Sequence, residues 1–266
     1  YGGKSNKVVN VVCDGKSILL SPDWVGDEAV MMAEKLKNVP IITGSDRFQT
    51  GRYALENFEI DTLILDDGFQ HLALRRDLDI LLCDHQRPLG NNHLFPAGEL
   101  REPASETQRA DMVCFTRYLG GPVKFSQKFL GSIPQIKTHL RLDSIINMEN
   151  GDVCDAEALK NQPVVAFCGI ANPEGFRQIL EDSQVQLKVF KAFPDHHVYS
   201  LQDIKDLESR ALKEGGKLIL VSEKDAVKLK DIKFSLPFYK VVIDLEILEG
   251  REIFNKKITT TRRGDH

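Results

Sequence analysis

The chain has 266 residues, 42% of them hydrophobic, enough to bury one large core or two modest ones, and its formal charge of −4 argues against a broad nucleic-acid-binding surface. Its five cysteines are odd in number, widely spaced and without a CxxC pair, which excludes a disulfide framework and predicts reduced thiols in a cytosolic compartment. The longest apolar runs are strand-sized, too short for a bilayer-spanning helix.

Short apolar runs alternating with amphipathic segments predict an α/β fold, with mostly parallel strands joined by crossover helices. In chain order, "VVNVVCD" (8–14) and "VPIITG" (39–44) read as strands around a helix "GDEAVMMAEKLKN" (26–38). Next come the strands "TLILDD" (62–67), "DILLCD" (79–84) and "ADMVCFT" (110–116). The acid-ended runs set carboxylates at the C-terminal edge of a sheet, where open α/β folds place their ligands. Between Asp84 and Ala110 lies a Pro-, Gly- and Asn-rich stretch without a clean period; a loop this long inside a domain is more often functional than idle. The pattern weakens from Tyr118 to Gln162, where "INMENGDVCD" (146–155) reads as a hairpin. A second α/β block follows: "PVVAFCGIANPEGFRQIL" (163–180), "LKVFKAFPDHHVYS" (187–200), a helix over 201–214, and the strands "KLILVSEKD" (217–225) and "FYKVVIDLEIL" (238–248). The expected division is into two Rossmann-like three-layer domains, 1–145 and 146–266.

The string "TLILDDGFQH" (62–71) carries the chemistry. A carboxylate at the tip of a buried strand can reach a hydrated magnesium ion, and two adjacent acids on an extended chain point apart, so their tasks differ. That is the layout of a Walker B strand in phosphotransferases. The plainer reading is a strand ending in a polar turn, for which "DDG" is well suited.

Taken with its neighbours, "LILDDGFQHLALRRDLDILLCD" resembles the central signature of the tetraacyldisaccharide 4'-kinase family. The likeness continues through "YGGKS" (1–5), "VCDG" (12–15), "VGDEA" (25–29), "GSDR" (44–47), "LFPAGELREP" (94–103), "RADMV" (109–113), "VVAFCGIANPEGF" (164–176), "FPDHHVYS" (193–200) and "SEKDAVKL" (222–229). It implies a P-loop-related first domain and an ATP-dependent kinase that phosphorylates the 4'-hydroxyl of tetraacyldisaccharide 1-phosphate in lipid A biosynthesis. It also implies ATP and Mg²⁺, a peripheral location on the cytoplasmic face of a Gram-negative inner membrane, and no nucleic-acid partner.

A kinase of this kind needs G-x-x-x-x-G-K-[ST], and the sequence contains none. "GGKS" (2–5) looks like its tail, but "YGGKS" corresponds better to a stretch following the family's first α/β unit. The chain opens with Tyr1 rather than methionine, so the first strand, P-loop and helix are expected upstream, together with an apolar N-terminal helix.

The resemblance makes Asp27 the acid that acts on the sugar hydroxyl, supported by His196 from a facing second domain. From the residues alone, the favoured reading of Asp27 is a helix-capping acid on "DEAVMMAEKL". The likeness places Asp66, Asp67, Gln70, His71 and Glu102 in the nucleotide and magnesium region, with Asp66, Asp67 and Glu102 as metal ligands. It makes Arg47, Arg101 and Lys224 substrate or phosphate contacts; salt bridges within loops, or a solvated lysine, are the duller account. Adjacent His196 and His197 point apart on an extended chain, which argues against zinc. Ala29, Cys13, Phe95 and Glu99 depart from the family pattern without removing a proposed catalytic side chain. The rival to a kinase is a non-catalytic module that binds the lipid disaccharide. A hydrolase using Asp66 and Asp67 is disfavoured, since sequence-adjacent acids do not flank a substrate.

Overall fold

The computed structural model describes residues 3–230 and 232–263. Its elements are β1 (Asn10–Asp14), α1 (Pro22–Val25), α2 (Asp27–Lys35), β2 (Pro40–Thr43), α3 (Arg47–Asn57), β3 (Ile80–Asp84), β4 (Met112–Thr116), α4 (Gln127–Leu130) and β5 (Gln135–Asn147). There follow β6 (Val153–Asp155), β7 (Pro163–Cys168), α5 (Pro173–Asp182), β8 (Gln186–Ala192), α6 (Leu201–Lys213), β9 (Leu218–Ser222), α7 (Glu223–Ala226), β10 (Phe238–Glu249) and α8 (Arg251–Arg263). The mixed α/β architecture matches the alternation in the sequence.

Two compact units form, and they are interleaved along the chain. The first takes Tyr1–Glu59 and Leu142–Asp244; the second takes Ile60–Arg141 and Leu245–His266. This differs from a contiguous division at residue 145. The physical reason lies in one hydrophobic cluster: Val12 of β1 and Val25, Ala29, Val30 and Ala33 of α1 and α2 are closed by Val227, far along the chain. The N-terminal segment thus completes a core that the C-terminal half supplies.

In the first unit β8, β7, β9 and β10 run parallel in that order. Val164 through Cys168 are fully buried, which is why β7 reads as an unbroken apolar run and not an alternating one. Phe167 packs edge-on to Phe193 and Tyr199 and stacks on Phe238, forming the aromatic centre of this core. Helix α6 starts with a capping box, Ser200 and Asp203 each bonding the other's backbone N–H. The predicted hairpin is present as β5 against β6, with Ile145 opposite Cys154. Strands β1 and β2, expected among parallel strands, pair antiparallel as a separate two-stranded sheet.

In the second unit β3, β4 and the start of β5 are parallel, over a core of Cys83, Val113, Phe115, Phe125 and Leu130. Phe254 of α8 packs on Met112, Cys114 and Ile136. The predicted strand "TLILDD" is not one: 62–65 carries no regular structure, and Ile64 is 93% exposed. A strand exists only where a neighbour satisfies its backbone, and no described strand pairs with this run.

Candidate functional site

Asp27 opens α2, preceded by Gly26 at φ 91°, a conformation glycine adopts without strain. Its carboxylate is buried, 5% exposed, and its Oδ1 accepts from the Glu28 backbone N–H at 3.0 Å. The acid thus sits in the first turn of the helix, where the macrodipole favours it, although Gly26 and not Asp27 occupies the cap position. His196 stands in the turn that follows β8, with its backbone N–H donating to the Gly169 carbonyl just past β7. Both lie at the C-terminal ends of parallel strands. His196 has φ 59°, a left-handed turn that brings its ring to Asp27: Nδ1 is 3.0 Å from Oδ1 and 3.1 Å from Oδ2. The pair was expected across a gap between two domains; instead both residues belong to the same compact unit.

Two lysines and three further acids complete the cluster. Lys224 has its Nζ 3.0 Å from Asp195 Oδ1, 3.1 Å from Glu28 Oε1 and 3.4 Å from His196 Nε2. An ammonium has three protons and no acceptor, so Nε2 is the acceptor and the imidazole proton sits on Nδ1, facing Asp27. Burial opposes the charge on Lys224, but its hydrogen bonds to Asp195 and Glu28 outweigh it and raise the pKa above the ordinary lysine value. Burial likewise opposes charge on Asp195, and the Lys224 contact reverses it, holding the carboxyl below the usual range. Lys228 reaches Asp27 Oδ2 at 3.3 Å and Asp225 Oδ1 at 2.9 Å. His197 turns away, stacking on Phe193 at 4.6 Å and meeting Asp203 at 3.3 Å. It is half-buried against the aromatic core, and no group of three metal-ligating side chains occurs among the described residues.

The second unit gathers a different set. Asp66 and Asp67 are exposed, in a turn and not at the tip of a buried strand, which corrects the Walker B strand geometry expected for them. Asp67 has φ 51°, and Arg101 Nη1 donates to both its oxygens at 2.8 and 2.7 Å. Glu102 accepts from Gln70 at 2.9 Å and from Arg109 Nη2 at 2.6 Å on each oxygen. Arg109 also lies 4.5 Å over the Phe69 ring, and Phe69 packs on the Cys83–Phe115 core. That explains the order of "DDGFQ": the phenylalanine anchors the turn while the acids and Gln70 stay outside. His71 is half-buried, its carbonyl accepting from Arg76 at 2.6 Å. Arg47 belongs to the first unit and bonds the Gly44 carbonyl at 2.8 Å, at the start of a helix capped by Asp46.

Tyr1 and Gly2 of "YGGKS" lie outside the described residues. The Lys4 and Ser5 amides, which a phosphate loop would aim at its ligand, donate instead to the Asp23 and Trp24 carbonyls at 3.0 Å each. Sequence reasoning missed Asp195, Asp225 and Lys228. The spacing of Lys224, in the four-residue α7, and Lys228, in the turn just after it, was the available signal.

A family model described as tetraacyldisaccharide-1-P 4'-kinase (LpxK) matches residues 1–262. The chain belongs to this family. Relatives named tetraacyldisaccharide 4'-kinase include one from Syntrophus aciditrophicus, 39% identical over 261 residues, covering 93% of this chain and 70% of the relative. Another, from Desulfotalea psychrophila, is 40% identical over 247 residues, covering 90% and 70%. A crystal structure of LpxK from Aquifex aeolicus in complex with ATP superposes with a TM-score of 0.79 at 30% identity, over 98% of this chain and 76% of that one. Family membership, the α/β fold and its kinase character thus agree with the motif reading.

Proposed function

We propose that this protein is the ATP-dependent kinase that phosphorylates the 4'-hydroxyl of tetraacyldisaccharide 1-phosphate in lipid A biosynthesis. The observation that carries this, beside family membership, is the buried Asp27 carboxylate held by His196 at 3.0 Å. In this reading the acceptor hydroxyl gives its proton to Asp27 as its oxygen bonds the γ-phosphorus and the bond to the β-phosphate oxygen breaks, releasing ADP. His196, carrying its proton on Nδ1, steadies the carboxylate as the proton arrives.

Magnesium needs only one or two carboxylates when phosphates supply the remaining oxygens. Asp66 fits that demand as an exposed, hard oxygen donor, and the exposed Asp67 would fit it on releasing Arg101, which holds both its oxygens. Glu102, gripped twice by Arg109, fits less well as a direct ligand and better as the post that fixes Gln70. When bound, the metal supplies charge neutralisation on the phosphate oxygens. Arg101 and Arg47 are assigned to phosphate contact and His71 to the nucleotide region; Lys224 serves the acceptor side through His196.

The substrate is acylated, and no helix of the described residues is long and apolar enough to cross a membrane. We assign the protein to the cytoplasmic face of the inner membrane by peripheral contact, for which exposed Trp24 and Phe48 are suitable side chains. The test is transfer of ³²P from γ-labelled ATP to tetraacyldisaccharide 1-phosphate by the protein expressed from its whole reading frame. Labelled 4'-phosphate is the expected product. Binding of the lipid without transfer would replace the kinase with a binding module.

A further inference from the structure

We propose that Lys228 is a positioning residue for phosphoryl transfer: anchored on the fully buried Asp225, it holds the Asp27 carboxylate in the orientation that meets the sugar hydroxyl. This rests on Asp27 acting on that hydroxyl, as proposed above. Asp225 is 0% exposed, and its Oδ2 accepts from the Gly169 N–H at 2.7 Å and from the Ser222 hydroxyl at 2.6 Å. Those donors sit at the ends of β7 and β9, so the carboxylate is a fixed post tied to the rigid sheet. Lys228 bridges from its Oδ1 at 2.9 Å to Asp27 Oδ2 at 3.3 Å, with its ammonium 5.4 Å from the Tyr199 ring.

One ammonium thus serves two buried carboxylates from different parts of the chain. A lysine present only to neutralise Asp225 would have no need to reach Asp27. At Asp27, the Glu28 N–H and the His196 Nδ1 proton join Lys228 as partners. The Glu28 N–H donates to Oδ1, the His196 Nδ1 lies within reach of both oxygens, and Lys228 holds Oδ2 as an ion pair without hydrogen-bond geometry, so the carboxylate is fixed from three sides. Fixing the orientation of a base is the kind of constraint that affects turnover more than binding.

The test is Lys228→Met in the whole protein, read by steady-state kinetics for both substrates and by urea unfolding, beside Asp27→Asn. The expected result is a fall in kcat of about 100-fold with both KM values unchanged, in protein that is folded at the assay temperature. Folded Lys228→Met with the wild-type kcat overturns the inference. So does a loss confined to KM. If Lys228→Met does not fold, Asp225→Asn takes its place, since the amide oxygen still accepts from Gly169 and Ser222 while the anchoring charge is gone; the same split is expected, and wild-type kcat again overturns it. Asp27→Asn separates the two levels: wild-type turnover there defeats the reading of Asp27 itself, whereas an inactive Asp27→Asn beside a fully active Lys228→Met defeats only the role of Lys228.

Discussion

The cluster around Asp27 and the cluster around Asp67 both join carboxylates to basic partners, but different forces hold them. Asp27 is buried, and the groups fixing it hang from a helix start, the end of a sheet and a buried aspartate. Asp67 and its partner Arg101 have side chains 48% and 59% exposed, and their geometry depends on an ion pair in water. A buried arrangement is preorganised, so removing one member leaves others stranded; an exposed pair is exchangeable, as the metal-binding role proposed for Asp67 requires.

Substitutions break this comparison in order of effect. Asp27→Asn keeps the shape and removes the base, and kcat for ³²P transfer is expected to fall about 1,000-fold with KM little changed. Unchanged turnover would take the acceptor role from this cluster. In stability, Asp225→Ala strands the Lys228 ammonium and the Gly169 N–H, at an expected cost of about 3 to 5 kcal/mol in urea unfolding. A loss under about 1 kcal/mol would mean that the cluster is not the rigid post described. The smallest effect belongs to the exposed pair. A double-mutant cycle of Asp67→Ala with Arg101→Ala is expected to give a coupling of about 0.2 to 1 kcal/mol that shrinks further in high salt. Strong, salt-insensitive coupling would place the two regions in the same physical class.

Much of this was legible in the residues. The unbroken apolar runs of β7 and β9, the hairpin through "MENGD" and the capping signals of α6 all report local preferences that the fold respects. The pairing of Asp27 with His196 was readable through family motifs, since nothing in the spacing of residues so far apart announces it. The misreadings share a cause. "TLILDD" has the composition of a strand, but pairing is a property of the neighbour, and no described strand is hydrogen-bonded to it. β1 and β2 have strand composition too, and composition carries no direction; the antiparallel register appears only in the fold. The contiguous domain division failed in the same way, because Val227 closes the core begun by Val12 and α2.

By itself, the sequence determined the α/β class, most of the elements, the family and the acids and histidine proposed to carry its chemistry. These follow from period, capping and motif, which are written along the chain. Tertiary structure alone decided that Lys228 shares its charge between Asp27 and Asp225, that Lys224 fixes the tautomer of His196, and that the acids at 66 and 67 stand in an exposed turn. Each of these depends on distances between residues remote in sequence and on burial from water, quantities that only a folded chain possesses.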